Sequence, residues 1–177
     1  MKKFLKPSLM LVAATCIMLA SCEKKEEKKS TTPDDSTFTF AAIGHKWIMS
    51  YDNSMPKVYE NDTLVMVSSQ DSNTWLMDDG SVMYCSPNEF GMEKEGSIFT
   101  VCKADAVVND LYPGIAGDCK VVAVDLQVTV PAGNFHCFKV ERSINGEYRE
   151  TYYINRQYGL IKVENEEYIS FLLSMNF

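Results

Sequence analysis

From Lys46 onward, hydrophobic and polar positions alternate along much of the chain with a period of two, not 3.6. The plainest run is Val122, Val124, Leu126, Val128 and Val130, interleaved with Ala123, Asp125, Gln127 and Thr129. Successive side chains of a strand point to opposite faces, so this run predicts a strand with one apolar and one largely polar face. Pro131-Ala132-Gly133-Asn134 then ends and turns it, because proline has no N–H for a ladder and glycine takes positive φ without a clash. The chain returns over 135–142, where Phe138 and Val140 are expected to face Val128 and Leu126. Asn145-Gly146 predicts a two-residue hairpin joining 139–144 to 147–154. Tyr158-Gly159 reverses the chain again, and 160–164 pairs with 168–175 around Asn165-Glu166. Upstream, strands are predicted at 46–51, 63–68, 74–77, 81–85 and 98–103, with Asp78-Asp79-Gly80 as a hairpin turn. Residues 104–112 fit either a helical turn or a loop before Pro113-Gly114. Together these elements predict a mainly β domain, either a curved antiparallel meander sheet or an unclosed half-barrel, with little helix outside the N-terminal leader.

The N-terminus breaks this pattern. Lys2, Lys3 and Lys6 precede an apolar run over 9–20, and small residues lead into Cys22. The run is about a dozen residues, short of the roughly 20 that a membrane-spanning helix needs, and fits an export signal. Leu19-Ala20-Ser21-Cys22 resembles the bacterial lipobox. The resemblance implies that the Cys22 thiol receives a diacylglycerol, that the signal peptide 1–21 is cut between Ser21 and Cys22, and that the new amino group takes a fatty acid such as palmitate. Several acyl chains hold a protein stably on a bilayer, where one holds it marginally. A secretory signal with Cys22 incidental, or a buried apolar helix, are the plainer alternatives.

Residues 22–36 are then expected to form the lipidated cysteine and a disordered charged tether, since Glu23 to Lys29 are all charged and Ser30 to Ser36 are polar or proline. Fourteen residues separate Cys22 from Thr37. As a random coil they reach roughly 20 Å, and at full extension roughly 45 Å. Lys25-Glu26-Glu27 resembles the acidic signal that sends some Gram-negative lipoproteins to the outer face of the outer membrane. A solvated linker on a periplasm-facing outer-membrane lipoprotein is the alternative.

Residues 37–177 remain, enough for a single β-rich domain with a sizeable core. From Ser30 onward the chain carries 10 Lys and Arg against 21 Asp and Glu, a net charge of −11. Such a surface repels phosphate backbones, which argues against nucleic acid as a partner.

The C-terminal part carries a second resemblance. Val128-Thr129-Val130-Pro131-Ala132-Gly133-Asn134-Phe135, Cys137-Phe138-Lys139-Val140, Tyr152-Tyr153 and Tyr158-Gly159-Leu160-Ile161-Lys162-Val163-Glu164 resemble the "V-PAG-F … YY … GVGLVK-E" signature of bacterial envelope proteins grouped with the LolA- and LppX-like half-barrels. Gly44-His45-Lys46-Trp47-Ile48 resembles their opening strand, whereas Asn155-Arg156-Gln157-Tyr158-Gly159 departs from the small or apolar residue usual before the glycine. The resemblance implies an unclosed antiparallel barrel whose concave side holds an acyl chain or other hydrophobic ligand. This chain is shorter than the lipid carriers of that group and shows no sequence for lid helices, which argues against a deep lipid cavity. The 10 methionines would make its interior adaptable, or simply fill a core.

Catalytic chemistry finds little support. The two histidines, His45 and His136, lie far apart in sequence and outside any two-histidine metal motif. No nucleophile elbow, phosphate-binding loop or dinucleotide fingerprint occurs, so no cofactor is expected. Asp78 and Asp79 read as a turn beside Gly80 more readily than as an acid/base pair or calcium ligands, and His136 and Cys137, adjacent on a strand, point to opposite faces. Cys85, Cys102, Cys119 and Cys137 form an even set in an exported chain, and no Cys-x-x-Cys spacing suggests zinc. One or two disulfides, or buried free thiols, both fit. The preferred pair is Cys85–Cys102, on two strands expected to form a hairpin around 89–96. The functional expectation is a membrane-anchored, non-enzymatic module that binds a hydrophobic ligand or an envelope protein. The alternative is a structural or assembly component of a cell-surface apparatus.

Overall fold

The computed structural model describes residues 36–54, 57–94 and 96–177, with the backbone alone at 53–54 and 57–60. The leader, Ser21, Cys22 and the tether up to residue 35 lie outside the described residues. Among the described residues no helix is long and apolar enough to cross a membrane.

Twelve strands form one antiparallel sheet: β1 (Lys46–Ser54), β2 (Lys57–Ser69), β3 (Thr74–Met77), β4 (Val82–Ser86), β5 (Glu89–Lys94), β6 (Ser97–Lys103), β7 (Leu111–Tyr112), β8 (Asp118–Val130), β9 (Gly133–Ile144), β10 (Glu147–Asn155), β11 (Gly159–Asn165) and β12 (Tyr168–Met175). Their order in the sheet is β6-β5-β4-β3-β2-β1-β12-β11-β10-β9-β8-β7. Nearly every neighbour in space is a neighbour in sequence, as the run of turn signals predicts. The exception is β1, which pairs β2 on one side and β12 on the other, so the first and last strands join two meanders into one sheet. The outer strands β6 and β7 approach each other without a ladder between them, and β6 also approaches β8 and β9. The sheet is therefore a barrel closed all round except along one seam.

The local chemistry accounts for the turns. Asn145 and Gly146 both have positive φ, 54° and 81°, the conformation of the two-residue hairpin turn that Asn-Gly favours. At the β3–β4 turn, Asp78 accepts a hydrogen bond from the Val65 backbone N–H (2.8 Å), and Asp79 accepts from the Ser81 N–H (2.8 Å) and hydroxyl (2.6 Å). These carboxylates build a turn, as expected.

Three features depart from the expectations. First, 89–94 is a strand and not a loop. Second, the segment left open as helical turn or loop contains the short strand β7 among turns. Third, β8 is irregular: Val121 lies opposite Val140, but register shifts on either side of Ala123 place Leu126 opposite Cys137 and Val128 opposite Phe135. Phe138 and Val140 therefore do not face Val128 and Leu126. Asp125 takes a positive φ of 56° inside the irregular stretch, and each bulge residue left unpaired re-aims those after it.

Candidate functional site

The two ends of the barrel differ, and the difference begins in the ten residues ahead of β1. The Phe38 N–H bonds the Pro87 carbonyl (2.9 Å) and the Thr39 N–H bonds the Arg156 carbonyl (3.0 Å), which lays this segment across the end formed by the β4–β5 and β10–β11 turns. Phe38 and Phe40 are thereby buried, Phe40 completely. Phe40 meets Phe90 and Trp47 edge-on, with centroids 5.6 and 6.3 Å away. Gly159 makes room for it: a Cβ there would lie 2.9 Å from the Phe40 ring, and the backbone has a φ of +73°. The Trp47 indole donates to the Tyr158 carbonyl (2.8 Å), and Phe177 stacks on His45 at 4.2 Å. This end is filled by the chain's own aromatic residues.

The opposite end holds a cleft of about 310 Å³ near the β3–β4 turn and the end of β5. Its walls carry four methionines, Met49, Met77, Met83 and Met92, and three tyrosines, Tyr51, Tyr152 and Tyr168. Met83 and Met92 lie directly opposite each other across β4 and β5, which places both on the inner face. Thioethers on unbranched stems give a soft, adaptable wall. Around the cleft the exposed residues Asp79, Glu93 and Lys94 form a charged rim. Burial raises the Tyr51 hydroxyl above its ordinary range, and the carboxylates of Asp62 and Asp79 raise it further.

Deep in the cleft, Arg142 on β9 and Glu150 on β10 are cross-strand partners. The Arg142 Nε and Nη2 both donate to Glu150 Oε1 at 2.6 Å, and the Tyr152 hydroxyl donates to the same oxygen. The two charges are only 8% and 14% exposed, so each depends on the other for compensation. Burial holds the Tyr152 hydroxyl well above its ordinary pKa, with the Glu150 charge adding to the effect.

Arg142 also reaches the seam, where its Nη1 donates to the Ala116 carbonyl. At the other end of the same segment, Arg156 donates through Nε and Nη2 to the Ala104 carbonyl (3.0 and 2.7 Å) while its guanidinium lies 4.2 Å from the centre of the Phe138 ring. Residues 104–116 thus form a strap along the open seam, fastened by an arginine at each end. Within it Ala104 and Ala106 are buried, and Val107, Val108, Leu111 and Ile115 are exposed.

Of the residues singled out from sequence, the cysteines require a correction. All four are free and buried. Cys85 lies opposite Phe90, and Phe90 lies opposite Cys102, so β5 runs between the two strands expected to form a hairpin. Two strand spacings are about 9.5 Å, whereas disulfide-linked Cα atoms lie within about 7 Å. Burial pushes the thiols of Cys85, Cys102, Cys119 and Cys137 up to about 12. His136 is exposed and paired with Asp125 at 2.8 Å, whereas the adjacent Cys137 is buried, on the opposite side of the strand. Among the described residues no three His, Cys, Asp or Glu side chains cluster as metal ligands.

The cleft itself was not picked out from sequence, but a signal for it exists. Arg142 continues the inward phase Phe138-x-Val140-x-Arg142, and Glu150 opens the phase Glu150-x-Tyr152-x-Ile154. Charges in step with apolar positions on two adjacent strands mark a buried ion pair.

No family model matches this chain, and no curated protein matches it. Two solved structures share its fold. One is a protein of Bacteroides fragilis described as exported and of YmcC-like fold, with 13% sequence identity, a TM-score of 0.53, and coverage of 80% of this chain and 99% of that one. The other, from Parabacteroides distasonis, is described as a lipoprotein and shows 13% identity, a TM-score of 0.54, and coverage of 79% and 99%. The twelve-stranded, nearly closed barrel of the described residues is similar in fold to that of the Bacteroides fragilis protein.

Proposed function

We propose that this chain is a lipoprotein of the bacterial envelope, anchored through Cys22 to the outer membrane, and that its barrel is a non-enzymatic binding module for a small apolar molecule. The lipobox-like Leu19-Ala20-Ser21-Cys22 supports the anchor, and the two structural neighbours, one described as exported and one as a lipoprotein, support the envelope. The binding reading rests on one observation, the methionine- and tyrosine-walled cleft at the unplugged end of the barrel. Its 310 Å³ lies at the lower bound of ligand pockets, about 300–1,000 Å³. The ligand is therefore smaller than a diacyl lipid, and carriage of whole lipids as in the LolA- and LppX-like group is not part of the proposal. Glu150 is held by Arg142 and Tyr152, an arrangement that supports structure and shape more than proton transfer.

Organic extraction of the protein purified from membranes, followed by mass spectrometry, is expected to release a small apolar compound in stoichiometric amount. The same extraction after Met83→Glu should yield none. An empty wild-type protein would turn the assignment toward assembly. Replacing Cys22 with Ser should move the protein out of the membrane fraction, and retention there would overturn the anchor. The second reading, a component of a surface apparatus, is favoured by the exposed aliphatic row Val107, Val108, Leu111 and Ile115 on the seam strap, a surface suited to a protein partner.

A further inference from the structure

We infer that the ligand of the cleft carries a cationic end on its apolar body, and that the cleft discriminates against anionic amphiphiles such as fatty acids. The inference rests on the proposed reading of the cleft as a binding site, and concerns the sign of charge that the site accepts. An apolar body is accommodated by the four methionines, whose side chains Met49, Met77, Met83 and Met92 line the interior. The sign is decided at the rim. A carboxylate head would need a free cation, and the buried cation of the cleft, Arg142, is already neutralised by Glu150 at 2.6 Å. Among the described residues the mouth carries Asp79 and Glu93 against Lys94, and Asp62 lies outside the wall, opposite Met49 across β1 and β2. Two carboxylates against one ammonium, with Asp62 on the adjoining strand, leave these described rim residues net negative beside a wall of low polarity, where charges interact more strongly than in water.

Two aromatic rings reinforce this preference. Tyr51 and Tyr168 line the cleft with centroids 6.1 Å apart, and the faces of such rings attract ammonium groups through their quadrupoles. A quaternary or primary ammonium on a short aliphatic stem would place its charge beside Asp79 and Glu93 and its stem along the methionines. A fatty acid of the same length would bury the same stem and set its carboxylate against those two groups.

The test uses the full chain in nanodiscs, with empty nanodiscs as the partitioning blank and three probes of matched length: hexyltrimethylammonium, heptanoate and 1-hexanol. The methionine methyl groups are followed by NMR, and Met175, opposite Trp47 at the filled end of the barrel and outside the cleft wall, serves as the internal reference. Hexyltrimethylammonium is expected to shift the cleft methionines at a concentration about tenfold below heptanoate. That gap should narrow between about 20 mM and about 500 mM salt as the rim charges are screened. Asp79→Asn with Glu93→Gln should remove the preference while 1-hexanol still binds, which shows that the variant is folded. Equal or tighter binding of heptanoate, or a cationic preference that survives the double substitution, would overturn the inference and leave the cleft as a binding site. If none of the probes, 1-hexanol included, moves the cleft methionines, the reading of the cleft falls and the inference falls with it.

Discussion

Arg142 is buried, charged and joined to two separate parts of the barrel: Glu150 on the next strand, whose carboxylate also holds the Tyr152 hydroxyl, and the seam strap through the Ala116 carbonyl. Removing it leaves a poorly exposed carboxylate without its cation and a carbonyl without its donor. Arg142→Leu is therefore expected to cost about 3–5 kcal/mol in urea unfolding. Adding Glu150→Leu should restore part of the loss, because the orphaned charge goes too. The four thiols present the opposite case, neutral groups kept neutral by burial. They are expected to resist a thiol reagent in the native protein at pH 8, and all four should react in denaturant without reductant. Their folded pKa, about 12, lies above the unfolded value of roughly 8.5. The stability they lend is complete below that unfolded value and is lost as pH rises toward 12, with a slope of up to about 1.4 kcal/mol per pH unit for each thiol. Urea midpoints at pH 8 and pH 10.5 should show the fall.

At the scale of elements, strands with regular alternation were legible and strands held by their neighbours were not. The β9–β10 hairpin follows from Asn145-Gly146, and β11 and β12 follow from alternation around Asn165-Glu166. In contrast, Pro87-Asn88-Glu89-Phe90-Gly91-Met92-Glu93-Lys94 has the proline, glycine and charge of a loop. It becomes β5 because β4 and β6 pair it on both sides and because Phe90, fully buried, anchors it in the core. Gly91 is required there by the close approach of β6, since a Cβ would lie 2.7 Å from the Phe99 carbonyl oxygen. Gly91→Ala is expected to lower stability by about 1–3 kcal/mol, measured by thermal unfolding. A neutral result would mean that the β5–β6 pair yields more easily than its register implies. The expected disulfide failed for the same reason: Cys85 and Cys102 bracket a strand that only packing reveals.

On the scale of the molecule, the barrel is plugged at one end and open at the other, and the plug comes from outside the sheet. Phe40 is fully enclosed by Phe38, Trp47, Phe90 and Gly159. Phe40→Ala is expected to cost about 3–5 kcal/mol in chemical unfolding, as for a large aromatic lost from a closed core. A cost below about 1 kcal/mol would show that the segment lies on the barrel without supporting it. Alternation and turn residues are properties of neighbours in the chain. The sequence by itself therefore determined that the domain is an antiparallel meander, where most of its turns fall, and that its leader resembles a lipoprotein signal. Closure of β1 onto β12, insertion of β5, the bulged register of β8, the strap over the seam and the cleft with its buried ion pair depend on residues up to about 130 positions apart. Only the tertiary structure decided these, because the free energy that selects them comes from burial and pairing between distant strands.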